Sequence, residues 1–118
     1  MNSKRKGKAA KRKGKVGERE AAKFISKFGF DAHRGQQYAG SKDSPDVVHN
    51  IPKIHIEVKR NEALQIWPAL RQAISDAAGL TPVVMHRCNK SNQKGSYPKG
   101  EWIVIMLAED FFNILKEK

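Results

Sequence analysis

Between Ile54 and Lys59 the chain reads Ile-His-Ile-Glu-Val-Lys, apolar and polar side chains alternating with a period of two. Successive side chains of a strand point to opposite faces. The pattern therefore predicts a β-strand with Ile54, Ile56 and Val58 on one face and His55, Glu57 and Lys59 on the other. This segment constrains the chain most, because it sets a carboxylate and an ammonium side by side. A second carboxylate, Asp46, stands upstream in a turn introduced by Ser44-Pro45. Two acids and an ammonium brought to one spot can hold a hard divalent cation and activate water against a phosphodiester. A strand with merely solubilising charge on its outer face would show the same alternation, and Asp46 is what separates the two readings.

The rest of the chain supplies a frame for that strand. Ala21, Ala22, Phe24, Ile25 and Phe28 make an apolar stripe that predicts a helix over residues 16–28, with Gly29 as its stop. A short strand is expected over residues 30–33, then an irregular polar stretch over 34–44. A second strand begins at Val47-Val48, and residues 50–53 turn back into the third. A second helix has its firm part from Pro68, with Leu70, Ile74 and Ala77/Ala78 as the buried stripe and Gly79 as its end. Thr81–Arg87 is rich in β-formers and reads as a fourth strand. After a polar loop over 89–100, the apolar run 102–107 predicts a buried fifth strand, and Ala108–Lys116 a closing amphipathic helix. The order is α-β-β-β-α-β-β-α: an α/β domain with a mixed five-stranded sheet flanked by helices.

At 118 residues the chain is one domain with a single core. Its net charge of +11 is unevenly placed. Residues 1–15 carry Lys4, Arg5, Lys6, Lys8, Lys11, Arg12, Lys13 and Lys15 and no acid, which reads as a disordered basic tail ahead of a domain over 16–118. The tail has no apolar face and no lipidation signal, so a membrane is the least suitable of its anionic partners. No apolar run approaches the ~20 residues that span a bilayer, and the basic N-terminus lacks the apolar core of a secretory signal. The lone Cys88 excludes an internal disulfide and a cysteine-built metal site. An intracellular, reducing compartment follows as the expectation: the cytoplasm, or a host's cytoplasm for a phage-encoded chain.

Pro45-Asp46, followed after ten residues by Glu57-Val58-Lys59, closely resembles the signature of the PD-(D/E)XK nuclease superfamily. Gly17-Glu18-Arg19-Glu20 in the first helix resembles the Holliday-junction resolvase branch, in its archaeal and phage-encoded forms. The resemblance covers residue 16 to the C-terminus. It implies a small restriction-endonuclease-like core, with Asp46 and Glu57 as ligands of Mg²⁺ or Mn²⁺ and the backbone carbonyl of Val58 as a third oxygen. Lys59 would orient the attacking water and stabilise charge on the phosphate; two neighbouring carboxylates oppose its acting as a base. Glu18 lies beside the helix's buried stripe and is expected to face the site, while Glu20 sits further round the helix. Gln72, on the polar side of the second helix with Gln65 and Asp76, matches a glutamine that helps position metal-bound water in many superfamily members. A surface role suits that single Gln equally. His33, His49, His55 and His86 match no zinc spacing; His55 alone shares the Glu57 face, and packing is the plainer reading of the others.

Arg34, Gln36, Gln37, Lys42 and Ser44 lead to Asp46, and Arg60, Lys90, Lys94 and Lys99 extend a basic rim. With the tail and Arg19, these residues suit phosphate contacts that do not read sequence. No base-reading motif is present; Tyr38 can stack on an unpaired base or simply pack. The family implies a homodimer cutting branched DNA, and Ile66, Trp67, Phe111, Phe112, Ile114 and Leu115 offer apolar surface for one. Other nuclease substrates (flaps, nicks, plain duplex) stay open at this point. A non-catalytic basic nucleic-acid-binding protein explains the tail equally well, but not why Asp46 and Glu57 stand within a basic rim. Deleting residues 1–15 should lower DNA affinity and flatten its salt dependence, each neutralised phosphate contributing a slope of about −0.9 on B-DNA. Anisotropy titrations over a salt series check this, and an unchanged slope would assign the arm to another partner.

Overall fold

The computed structural model describes residues 3–35, 46–59, 64–87 and 100–117, with side chains described from Lys15 onward. The elements are α1 (Ser3–Ser26), β1 (Ala32–Arg34), β2 (Val47–His49), β3 (Ile54–Lys59), α2 (Ile66–Asp76), β4 (Thr81–Arg87), β5 (Trp102–Ile105) and α3 (Ala108–Lys116). Their order is the expected one, and the described residues form a small α/β domain with three helices. No described helix is long and apolar enough to cross a membrane.

The sheet departs from expectation. Among the described residues the strands form two sheets, an antiparallel β1-β2 ribbon and a mixed sheet in the order β3-β4-β5, rather than one sheet of five. β3 pairs in parallel with β4, and β4 antiparallel with β5. At the edge of β3 away from β4, the Val58 N–H donates to the Asp46 side chain at 2.9 Å rather than to a backbone carbonyl of β2.

Alternation along β3 and β4 sorts the apolar residues into two clusters on two faces, in place of the single core expected. Ile56 and Met85, with Ile54 and Val58 half-buried beside them, pack under Ala21, Ala22 and Ile25 of α1 and Val47 of β2. On the opposite face Val84 packs under Ala69, Leu70 and Ala73 of α2. Glu57 is the register partner of Val84, so it shares this second face. The face that reads as an outer one in sequence is therefore covered by a helix, and Glu57 is 4% exposed.

Other boundaries shift for local reasons. α1 starts at Ser3, so the backbone of the stretch read as a disordered tail is helical; its Lys, Arg and Ala are good helix formers and extend a turn already nucleated by packing. The helix ends at Ser26, and the chain leaves it through Gly29 in the left-handed region at φ 92°. β1 lies at 32–34 rather than 30–33. α2 opens at Ile66, two residues before Pro68, whose missing N–H costs nothing within the first turn. Its buried residues are Ala69, Leu70 and Ala73, followed by Ala77, whereas Ile74 and Ala78 are exposed, each one residue (about 100°) off that stripe. The run expected to be a buried strand over 102–107 forms only β5, with Ile103 and Val104 exposed, because it pairs on one side alone among the described residues.

Ala73 is fully buried against the sheet. Ala73→Leu should destabilise the domain by about 1–3 kcal/mol through overpacking, measurable as a lower urea midpoint with unchanged slope.

Candidate active site

Asp46 enters β2 with its backbone fixed, its carbonyl accepting the Gly35 N–H at 3.0 Å. Its side chain reaches across to β3, where Oδ2 accepts the Val58 N–H. A strand points alternate N–H groups to opposite edges, and Val58 offers one on the edge away from β4. The carboxylate thereby satisfies a donor that would otherwise lack a partner and comes to rest beside Glu57.

Glu57 lies among polar partners in an otherwise closed face. Its Oε1 stands 3.1 Å from His55 Nε2, and both residues are buried. Its side chain also hydrogen-bonds Asp46 and Asp76. Burial first, then the charge of Asp46 and the contact with Asp76, push its carboxyl from an ordinary 4.5 to about 9. Glu18 is raised as well, by burial first and then by the charge of Asp46, against the opposing pull of Arg34. Asp46 is thus the common neighbour of both glutamates.

Asp76 is the residue that sequence reasoning missed as part of the site. α2 runs back along β3, and a four-residue step on a helix rises about 6 Å, close to the about 6.6 Å of two strand residues. Gln72 therefore meets Lys59, whose Nζ donates to Gln72 Oε1 at 2.8 Å, and Asp76 meets Glu57. The available signal was the four-residue spacing of Gln72 and Asp76 on one polar helix face. The pairing also gives Gln72 a specific partner.

Glu18 lies near Asp46, and its Oε2 accepts from Arg34 Nε at 3.0 Å. Arg34, expected among the nucleic-acid contacts, is thereby engaged within the fold and largely covered. Glu20 does lie elsewhere, accepting from Arg87 Nη1 at 2.9 Å while Arg87 Nε donates to the Gly100 carbonyl. Lys15 and Arg19 are exposed on α1. The side chains of Lys4, Arg5, Lys6, Lys8, Lys11, Arg12 and Lys13, and all of Gln36, Gln37, Tyr38, Lys42, Ser44, Arg60, Lys90, Lys94 and Lys99, lie outside what the structure describes. Of the other histidines, His33 is exposed and His86 buried. His49 accepts the Ile51 N–H at Nδ1, and burial lowers its pKa.

Among the described residues, no three His, Cys, Asp or Glu side chains close into a ready-made metal cage. The expected ligand set does not need one, since it consists of two carboxylates and a backbone carbonyl. The donors suit a hard ion: they are all oxygen, and burial together with the neighbouring Asp46 and Asp76 keeps a proton on Glu57 at neutral pH. A divalent cation would take the place of that proton. No family model matches this chain, and no curated protein matches its sequence.

Because the folded state holds a proton on Glu57 that the unfolded chain has already released, stability of the metal-free protein should fall as pH rises from about 4.5 to about 9. Glu57→Gln should flatten that fall and melt higher than wild type at about pH 9 without metal. Melting curves across pH decide it, and parallel profiles for the two proteins would show that Glu57 is ionised in the fold.

Proposed function

We propose that the protein is a divalent-metal-dependent endonuclease of the PD-(D/E)XK type that hydrolyses phosphodiester bonds in branched DNA, with four-way junctions as substrate. In this reading it acts inside a cell as a homodimer, so that two sites meet symmetry-related strands. The observation that supports it most is the pinning of the Asp46 carboxylate on the β3 edge, beside the buried Glu57. Acids so placed repel a phosphate unless a cation intervenes, yet the chain around them carries a net charge of +11, which draws nucleic acid in.

Asp46, Glu57 and the Val58 carbonyl would hold Mg²⁺ or Mn²⁺, which supplies polarisation of the phosphate and a more acidic water. The chain's own residues do the rest. The Val58 N–H fixes the orientation of Asp46, and Asp76 meets Glu57 from α2. Lys59, steered by Gln72, stabilises the negative charge that develops on the phosphate. Glu18, held by Arg34, adds a further acid on the α1 side of Asp46. Lys15 and Arg19, exposed on the same helix, attract the DNA backbone.

Asp46→Asn, Glu57→Gln and Lys59→Ala should each slow junction cleavage about 100-fold or more while leaving junction binding largely intact. Mg²⁺ or Mn²⁺ should support cleavage and Ca²⁺ binding alone. Assays on end-labelled four-way junction, flap and linear duplex test this directly. Activity in excess chelator would remove the metal mechanism; equal cutting of duplex and junction would leave a nuclease but not a resolvase.

A further inference from the structure

The buried pair His55–Glu57 is more than the proposed chemistry requires. Both residues project from β3 toward α2, two positions apart, with Nε2 and Oε1 at 3.1 Å and side chains no more than 7% exposed. A buried imidazole costs free energy that an apolar side chain at the same point would not. His55 also lines a cavity of about 210 Å³ together with Val47, His49, Ile51, Ile56 and Leu80.

We infer that His55 is a positioning residue for Glu57, donating from Nε2 to Oε1 and leaving Oε2 as the oxygen turned to a divalent cation. The inference rests on the metal-centre reading above. An ionised carboxylate only accepts hydrogen bonds, so a cation-bound Glu57 requires the His55 proton on Nε2. With Oε1 committed, the carboxylate plane is set, and one oxygen stays available next to Asp46. Without that donor the ionised carboxylate would face only Asp46 and Asp76, acids that repel it and so do not fix its plane. Groups that orient a metal ligand in this way typically contribute 10- to 100-fold to metal affinity.

The test is Mn²⁺ titration of the full chain by calorimetry, with wild type, Glu57→Gln, His55→Leu and His55→Gln. His55→Leu should weaken Mn²⁺ binding by about 10- to 100-fold, and His55→Gln, whose side-chain amide reaches the same place, should restore most of it. Wild-type affinity in a folded His55→Leu variant would overturn the inference, as would equal losses in Leu and Gln. Should His55→Leu not fold, nitrogen-detected NMR of the wild-type histidines carries the same question. A protonated Nε2 on His55 that shifts on adding Mg²⁺, with exposed His33 unmoved, supports it, and a bare or unresponsive Nε2 overturns it. Loss of Mn²⁺ binding in Glu57→Gln with full binding in His55→Leu sinks the positioning role alone. A wild type that binds no Mn²⁺ removes the metal-centre reading and this inference together.

Discussion

One hydrogen bond, from the Val58 N–H to Asp46 Oδ2 at 2.9 Å, decides how the remaining parts are arranged. Among the described residues it takes, with a side chain, an edge donor of β3 that a neighbouring strand would otherwise pair with. It also plants a negative charge against both Glu57 and Glu18, and that charge contributes to the upward shift of both carboxyls. A carboxylate bonded to a backbone N–H gains a charge-assisted contact, about twice as strong as a neutral one. Asp46 is thus held in place by the sheet, while the two glutamates around it bear the electrostatic cost.

The sandwich distributes the site over three layers. α1 brings Glu18 from one side, β3 carries Glu57 and Lys59 in the middle, and α2 brings Gln72 and Asp76 from the other. Each helix is seated by small residues, Ala21 and Ala22 in α1 and Ala69 and Ala73 in α2. Such residues let backbone approach backbone, and that is what allows side chains as short as Asp76 to reach a residue rooted in the strand. The apolar packing that holds the domain together and the convergence of the acids therefore have one cause.

The parts of this arrangement that depend on local periodicity were legible in the sequence. The bounds of β3, β4 and α3 follow from it without correction. Glu18 beside the buried stripe of α1 is also legible, because helical geometry alone puts it there. What was not legible depends on partners far along the chain. Nothing local indicates that the His55, Glu57 and Lys59 face lies under α2, that Arg34 is drawn to Glu18 sixteen residues away, or that Asp76 closes on Glu57. The apolar run after Trp102 misleads for the same reason. Hydrophobicity suggests burial, but Ile103 and Val104 stand on a strand with one described neighbour, and α3 buries no residue fully.

The burial of Glu57 bears on how the site and the fold constrain each other. Glutamine at this position would satisfy the same shape without the cost of a carboxyl pushed to about 9. A purely structural role therefore gives no account of an acid there. Protonation makes the acid tolerable in the absence of a cation but leaves Asp46 and Asp76 facing a neutral group. Under the proposed reading, the cation resolves the repulsion that the proton only lessens, and the strain among the carboxylates becomes binding energy for the ion. On that view the basic chain and its acidic centre act in sequence: the exposed Lys and Arg gather the phosphate backbone, and the cation, held by acids that alone would repel it, lets the phosphate approach.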